Sequence, residues 1–321
     1  MPPFPKPMFQ YHYDVHAQIE ALRRYRDEEP GRAIPKRRAG RLVLATWNVA
    51  NLGVQERRQA DYALIAEVVS WFDLVALQEV NEDLAGLQGL RAELPKRYRA
   101  LYSDAGGNHE RMTFVYDATK LEVLEEVGEV AFAPSDYRRV VLPGITQRFD
   151  GFDRNPYLAT FTVGGLTISL VNVHLFFGSD SKRSKNRRSL EAYAVARYAD
   201  LRRTSPHSPT RDIVALGDFN LPKAQPGDPI YEALTRRGLH LPQHSTQIGS
   251  NLNSDSHYDQ VAFFPGETAS DFTGRSGVFD FDGAVFARLW ATRGRADFQA
   301  YVRYHLSDHR PLWAEFRTDA T

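Results

Sequence analysis

Acidic and amide residues and two histidines stand where short apolar runs of this sequence end. Side chains of these types, gathered at strand ends, can hydrolyse a phosphate ester. Glu79 follows the run Asp73-Leu74-Val75-Ala76-Leu77-Gln78, while Asp218 and Asn220 follow Ile213-Val214-Ala215-Leu216-Gly217. His174 closes another run, and Asp308 and His309 precede the last one. Such hydrolysis needs the phosphoryl oxygens neutralised, a water oriented in line with the leaving group, and the departing oxyanion stabilised. Mg²⁺ held by one or two carboxylates, with several waters retained, supplies much of this.

The elements that must position these residues are short and mixed. β-rich runs occur at Leu42–Thr46, Leu74–Leu77, Met112–Tyr116, Leu158–Val163, Thr167–Leu175, Ile213–Leu216, Gln260–Phe264 and Leu312–Phe316. Helices are predicted between them at Gln55–Ser70, Asn186–Arg203 and Pro229–Arg237. Several runs end in a polar residue that a surface loop would not require, namely Asn48, Glu79, His174 and Asp218, so these side chains are expected to converge on one sheet edge. Residues 1–40 differ in texture, with prolines, an amphipathic stretch from Val15 to Arg26 and a basic cluster at Lys36, Arg37, Arg38 and Arg41. They read as an arm or helix packed on a domain formed by residues 41–321.

Five segments carry a resemblance to a known family: Thr46-Trp47-Asn48, Leu77-Gln78-Glu79, Val171-Asn172-Val173-His174, Gly217-Asp218-Phe219-Asn220 and Ser307-Asp308-His309-Arg310-Pro311. In this order, they resemble the endonuclease/exonuclease/phosphatase superfamily with the DNase I-like fold. The resemblance implies an α+β, four-layer α/β/β/α sandwich of two mostly antiparallel sheets flanked by helices. It implies Glu79 as the principal Mg²⁺ ligand, Asn48 beside it and Asp308 near the metal or a second metal position, with Mn²⁺ as a possible substitute. By the same likeness Asp218 orients or deprotonates the attacking water, Asn220 holds a phosphate oxygen or that water, and His174 donates to the phosphate. Asp259, in Tyr258-Asp259-Gln260-Val261, resembles the acidic partner that orients His309, and Arg154 resembles an arginine that meets phosphate. Ala50 departs from the family's nucleases, some of which carry an acidic residue there. Each residue has a plainer reading taken singly: a solvated glutamate, a satisfied histidine, an Asp/Asn turn.

The 321 residues, 42% of them hydrophobic, suffice for one large core. Lys plus Arg total 40 and Asp plus Glu total 40, so any contact with a polyanion must use local patches. The run Lys182, Arg183, Lys185, Arg187 and Arg188 is one such patch, suited either to a solvated helix start or to phosphate-backbone contact. Phe176 and Phe177 beside it suit base stacking or packing. The absence of cysteine excludes disulfides and thiolate-bound zinc. With no apolar leader and no run near the ~20 residues of a membrane span, the reading is a soluble cytoplasmic protein without a membrane partner, and no protein partner is evident.

The favoured function is a Mg²⁺-dependent phosphodiesterase acting on nucleic acid, DNA ahead of RNA. The alternative is a phosphatase or phosphodiesterase for a small phosphorylated metabolite or lipid headgroup. A non-catalytic binding module is the third reading.

Overall fold

The computed structural model describes residues 3–244, 246 and 248–319. The first two residues of the arm and the last two of the chain lie outside the described residues. Strand β1 (Arg41–Leu52) shows how the layers arise, because its side chains alternate between two cores. Val43, Ala45, Trp47 and Val49 enter an outer core beneath helices, whereas Leu42 and Leu44 enter the core between the two sheets.

The same alternation runs through β2 (Leu74–Asn81), β7 (Leu166–His174), β8 (Ile213–Asp218) and β9 (Asp259–Phe263). Leu74, Ala76, Ile168, Leu170, Val214, Leu216, Val261 and Phe263 fill the inter-sheet core. The remaining strands are β3 (Tyr98–Tyr102), β4 (Glu110–Asp117), β5 (Glu122–Glu129), β6 (Tyr157–Val163), β10 (Phe272–Val278) and β11 (Leu312–Arg317). Six strands form one sheet in the order β10-β11-β1-β2-β4-β3, and five form the other in the order β5-β6-β7-β8-β9. Among the described residues only the β1–β2 and β7–β8 pairs are parallel.

Helices cover both outer faces. Residues of α1 (Val15–Glu28), α2 (Gln59–Ser70), α3 (Ala85–Glu93) and α7 (Ala287–His305) share a core with β1 and β2. On the other face, α5 (Lys182–Arg203) and α6 (Pro229–Thr235) pack over β7 and β8, while α4 (Pro134–Tyr137) is a single turn. The result is the four-layer α/β/β/α sandwich expected from the resemblance.

Helix α5 begins earlier than its periodicity suggests, because Ser181 caps it by accepting from the Ser184 amide. The basic run Lys182–Arg188 therefore forms its first turns. The arm lies across α2 and α7, with Phe9, Tyr11, Tyr13, Val15 and Ile19 packed on their core. Its basic cluster is partly turned inward: Arg37 donates to Asp73 Oδ1 at 2.6 Å and to the Tyr98 hydroxyl at 3.0 Å, and pairs with Asp117. No helix among the described residues is long and apolar enough to cross a membrane.

Candidate active site

At one end of the sandwich the inter-sheet rows change from apolar to polar. Thr46 and Asn48 continue the β1 row, Asn172 and His174 the β7 row, Asp218 the β8 row and Asp259 the β9 row; all are buried. Register aligns three of them, since His174 pairs with Asp218 and Asp218 with Asp259. Beneath them the sheets are stitched together: Gln78 Nε2 donates to Asn172 Oδ1 at 2.7 Å and to Thr46 Oγ1 at 3.0 Å. Asn172 Nδ2 donates to the Leu77 and Thr113 carbonyls, both at 3.1 Å. Hydrogen bonds made in a dry layer are strong and fix the relative height of the two sheets.

Strict alternation would turn Glu79 away from this row. The β2–β4 register shifts between Leu77 and Val80, and Glu79 has φ 59°. A bulge of this kind re-aims a side chain, here at the cost of a left-handed non-glycine residue. The Glu79 carboxylate consequently reaches the site, where Oε1 accepts from Asn48 Nδ2 at 2.9 Å and Oε2 from the Asn51 amide at 2.9 Å.

Asp218 Oδ2 is the point on which the site converges. Asn48 Nδ2 lies 3.1 Å away, His174 Nε2 3.6 Å and His309 Nε2 3.8 Å. Its other oxygen accepts from the Asn220 amide at 2.8 Å. A carboxylate lies behind each imidazole: Nδ1 of His309 is hydrogen-bonded to Asp259 Oδ2 at 2.8 Å, and Nδ1 of His174 lies 3.0 Å from Glu110 Oε2. Burial opposes a charge on His309, but Asp259 and Asp218 outweigh it and raise its pKa well above the ordinary value. Burial likewise opposes the Asp218 charge, and His309 and His174 overcome it to keep the carboxyl below its usual range. His174 similarly outweighs burial to hold Glu110 at about 2.

The segment carrying His309 is anchored by the first motif. Trp47 Nε1 donates to the His309 carbonyl at 2.8 Å, and Ser307 Oγ donates to the Asn48 carbonyl at 2.6 Å while accepting from the His309 amide. Asp308 is half-buried, and burial followed by the charge of Glu79 raises its carboxyl above the ordinary range. Glu79, Glu110 and His174 present ligand atoms within 4.8 Å of one another, as do Asp218, Asp259 and His309. These buried acidic and histidine groups can hold a metal ion. Carboxylates outnumber imidazoles here, and the donors are predominantly oxygen, a set that suits a hard divalent cation.

Several of the expected site residues are held by neighbouring protein groups. Asn48, expected beside the metal, offers its amide nitrogen to Glu79 and Asp218, and its oxygen accepts from the Ala50 amide. Asn220 lies at the site but donates from Nδ2 to the Leu175 carbonyl at 2.7 Å. Arg154, expected to meet phosphate, is 4% exposed and donates to the His174 and Leu175 carbonyls. Its work is to fix the strand end that carries His174. Arg188 is fully buried, and its guanidinium binds the Phe176, Phe177 and Asn220 carbonyls, so it does not face phosphate. Arg187 is half-buried between Asp153 and Glu191, while Lys182 and Arg183 are exposed. Sequence reading missed Glu110, whose only local signal is an acid opening a strand after a polar turn.

A family model described as Endonuclease/Exonuclease/phosphatase matches residues 45–309. A curated protein named Deoxyribonuclease, from Thioalkalivibrio sp. (strain K90mix), is 27% identical over 203 residues, covering 60% of this chain and 50% of that protein. The chain thus spans about half the length of that relative. Among solved structures, D. rerio TDP2 complexed with a single-strand DNA product is similar with a TM-score of 0.56 and 18% identity, over 87% of this chain and 99% of that one. The 3′ phosphatase NExo from Neisseria, bound to a product DNA hairpin, gives 0.53 and 17%, over 86% and 99%. Fold, motif order and matched length agree, and the chain belongs to the endonuclease/exonuclease/phosphatase family, a family of phosphoester hydrolases.

Proposed function

We propose that this protein is a Mg²⁺-dependent phosphodiesterase that cleaves nucleic acid. The observation that carries the reading is the convergence of His174 Nε2, His309 Nε2 and Asn48 Nδ2 on Asp218 Oδ2, next to the carboxylate of Glu79. Glu79 and Asp308 would hold the metal, with Asn48 keeping Glu79 in place. Bound there, Mg²⁺ would neutralise phosphoryl oxygens and stabilise the leaving oxygen. Asp218, kept ionised, accepts a proton from a water aligned for attack, and Asn220 lies beside it. His309, charged and oriented by Asp259, donates to the phosphoryl oxygens as their charge grows, and His174, oriented by Glu110, donates from the other side.

Nucleic acid is favoured over a small ester by the surroundings. A cavity of about 390 Å³ beside the β7 end is lined by Arg148, Arg183, Arg187, Phe152 and Phe176, with the Arg187 guanidinium 4.0 Å from the Phe176 ring centre. Beyond the β8 and β9 ends, another of about 700 Å³ is lined by Lys223, His257 and Gln260. The arginines and aromatic rings of the first cavity suit a phosphate backbone and its bases, with Asp150 also in its lining and Asp255 in that of the second. The curated relative's name and the DNA bound to TDP2 and NExo point the same way.

The test is hydrolysis of plasmid, linear duplex, single-stranded DNA, RNA and small phosphomonoesters with Mg²⁺, Mn²⁺ or EDTA, with Glu79→Gln as control. Metal-dependent cutting of a polynucleotide, abolished in the variant, is the expected result. Turnover of small esters alone would replace it with the metabolite reading.

A further inference from the structure

Arg57 belongs to none of the family-like motifs, yet its guanidinium binds the backbone on both sides of the site. Nη2 donates to the carbonyls of Val49 at 2.8 Å, Ala50 at 2.6 Å and Leu306 at 2.8 Å. Nε donates to the His305 carbonyl at 3.1 Å, and Nη1 to that of Asn51 at 3.4 Å. Three of these carbonyls belong to the irregular end of β1 after Asn48, where its register shifts, and two to the end of α7 that leads to Ser307, Asp308 and His309. Gln55 reinforces the junction, donating from Nε2 to the Tyr304 carbonyl at 2.8 Å and to that of Ala50 at 3.3 Å.

Carbonyl dipoles brought together in this way repel unless a cation with several donors lies among them. A guanidinium has five N–H groups in a fixed fork, whereas a lysine ammonium is a single point. The α7 end also concentrates partial negative charge, which a cation offsets. The end of β1 needs such support, since Ala50 and Asn51 have φ 42° and 53° and the Asn51 amide binds Glu79. Helix α2 has other anchors: the Arg58–Asp61 capping interaction and the burial of Leu64, Ile65, Val68 and Val69.

We propose that Arg57 is a positioning residue for the metal-holding half of the site, locking the end of β1 that carries Asn48 and Asn51 to the turn that carries Asp308. The inference rests on the phosphodiesterase reading above. It predicts that Arg57 governs metal affinity and turnover while substrate binding through the His174 side is preserved.

The experiment compares the full chain with Arg57→Ala, Arg57→Lys and Glu79→Gln. Mn²⁺ binding without substrate is measured by electron paramagnetic resonance, and kcat, KM and the Mg²⁺ activation constant are measured on DNA. Arg57→Ala is expected to bind Mn²⁺ about 10- to 100-fold more weakly and to lose turnover by a similar factor, with KM little changed. Millimolar guanidinium should restore part of both losses, and Arg57→Lys should remain intermediate. Unchanged Mn²⁺ affinity and kcat in folded Arg57→Ala would overturn the proposal, as would a loss that tracks only the unfolded fraction and resists guanidinium. If the alanine variant does not fold, the lysine variant decides by the same readouts. Wild-type Mn²⁺ binding by Glu79→Gln would refute the metal reading itself; its loss there, with normal binding by the Arg57 variants, would refute only the positioning role.

Discussion

Glu110 Oε2 lies 3.0 Å from Nδ1 of His174, so that the imidazole turns its Nε2 toward Asp218. The placement mirrors, on the β4 side, that of Asp259, which hydrogen-bonds His309 on the β9 side. Two carboxylate–imidazole pairs, each bridging one sheet to the other, thus address one carboxylate oxygen.

If Glu110 orients His174, Glu110→Gln removes the charge while keeping the volume, and kcat should fall about 10- to 100-fold. Steady-state kinetics at saturating metal tests this, with thermal melting to confirm folding. A variant with full kcat would mean that Glu110 only fills space.

Asp218 receives the site's donors on Oδ2, and as an amide it could no longer take a proton from water. Asp218→Asn should therefore lower kcat by roughly 100- to 10,000-fold with little change in KM. An effect confined to KM would assign Asp218 to substrate binding instead.

The rows that meet at the site were legible because β1, β2, β7 and β8 are central strands with apolar alternation that ends in polar residues. The remaining elements have no local signature, for physical reasons. Strands β3, β5 and β10 lie at sheet edges and lack a continuous apolar run; β5 is acidic and half exposed. Helix α7 is arginine-rich and broken at Gly294, whose φ is 76°. Glu110 becomes meaningful only through His174, far away in the chain. Arg188 reads as solvated because nothing local announces the carbonyls that bury it.

The arm supplies a prediction for acid stability. Burial opposes the Asp117 charge, but Thr119 and Arg37 outweigh it and hold the carboxyl at about 2. Because the folded value lies below the unfolded value of about 3.9, this stabilisation is complete above pH ~4 and is lost as pH falls toward ~2. Asp117→Asn should cost roughly 1–3 kcal/mol near neutrality and show a shallower loss of stability across that acid window. Denaturation measured from neutral to acid pH checks both; parallel profiles for the two proteins would remove Asp117 as a cause.

The start of α5 separates two kinds of arginine that the sequence presents alike. Lys182 and Arg183 are exposed, and Arg183 lines the cavity beside Phe176; Arg188 is buried among carbonyls. If the exposed pair meets backbone phosphates, replacing both by alanine should reduce the slope of log affinity against log salt by about 2, with no loss of thermal stability. Arg188→Lys should do the opposite, lowering Tm while leaving the slope unchanged, since one ammonium cannot reach carbonyls that a guanidinium fork spans. DNA binding titrated across salt, with Asp218→Asn as the background that prevents cleavage, measures the slopes. An unchanged slope after loss of Lys182 and Arg183 would return this helix start to a solvated surface and move the search for the phosphate track to the Lys223 side.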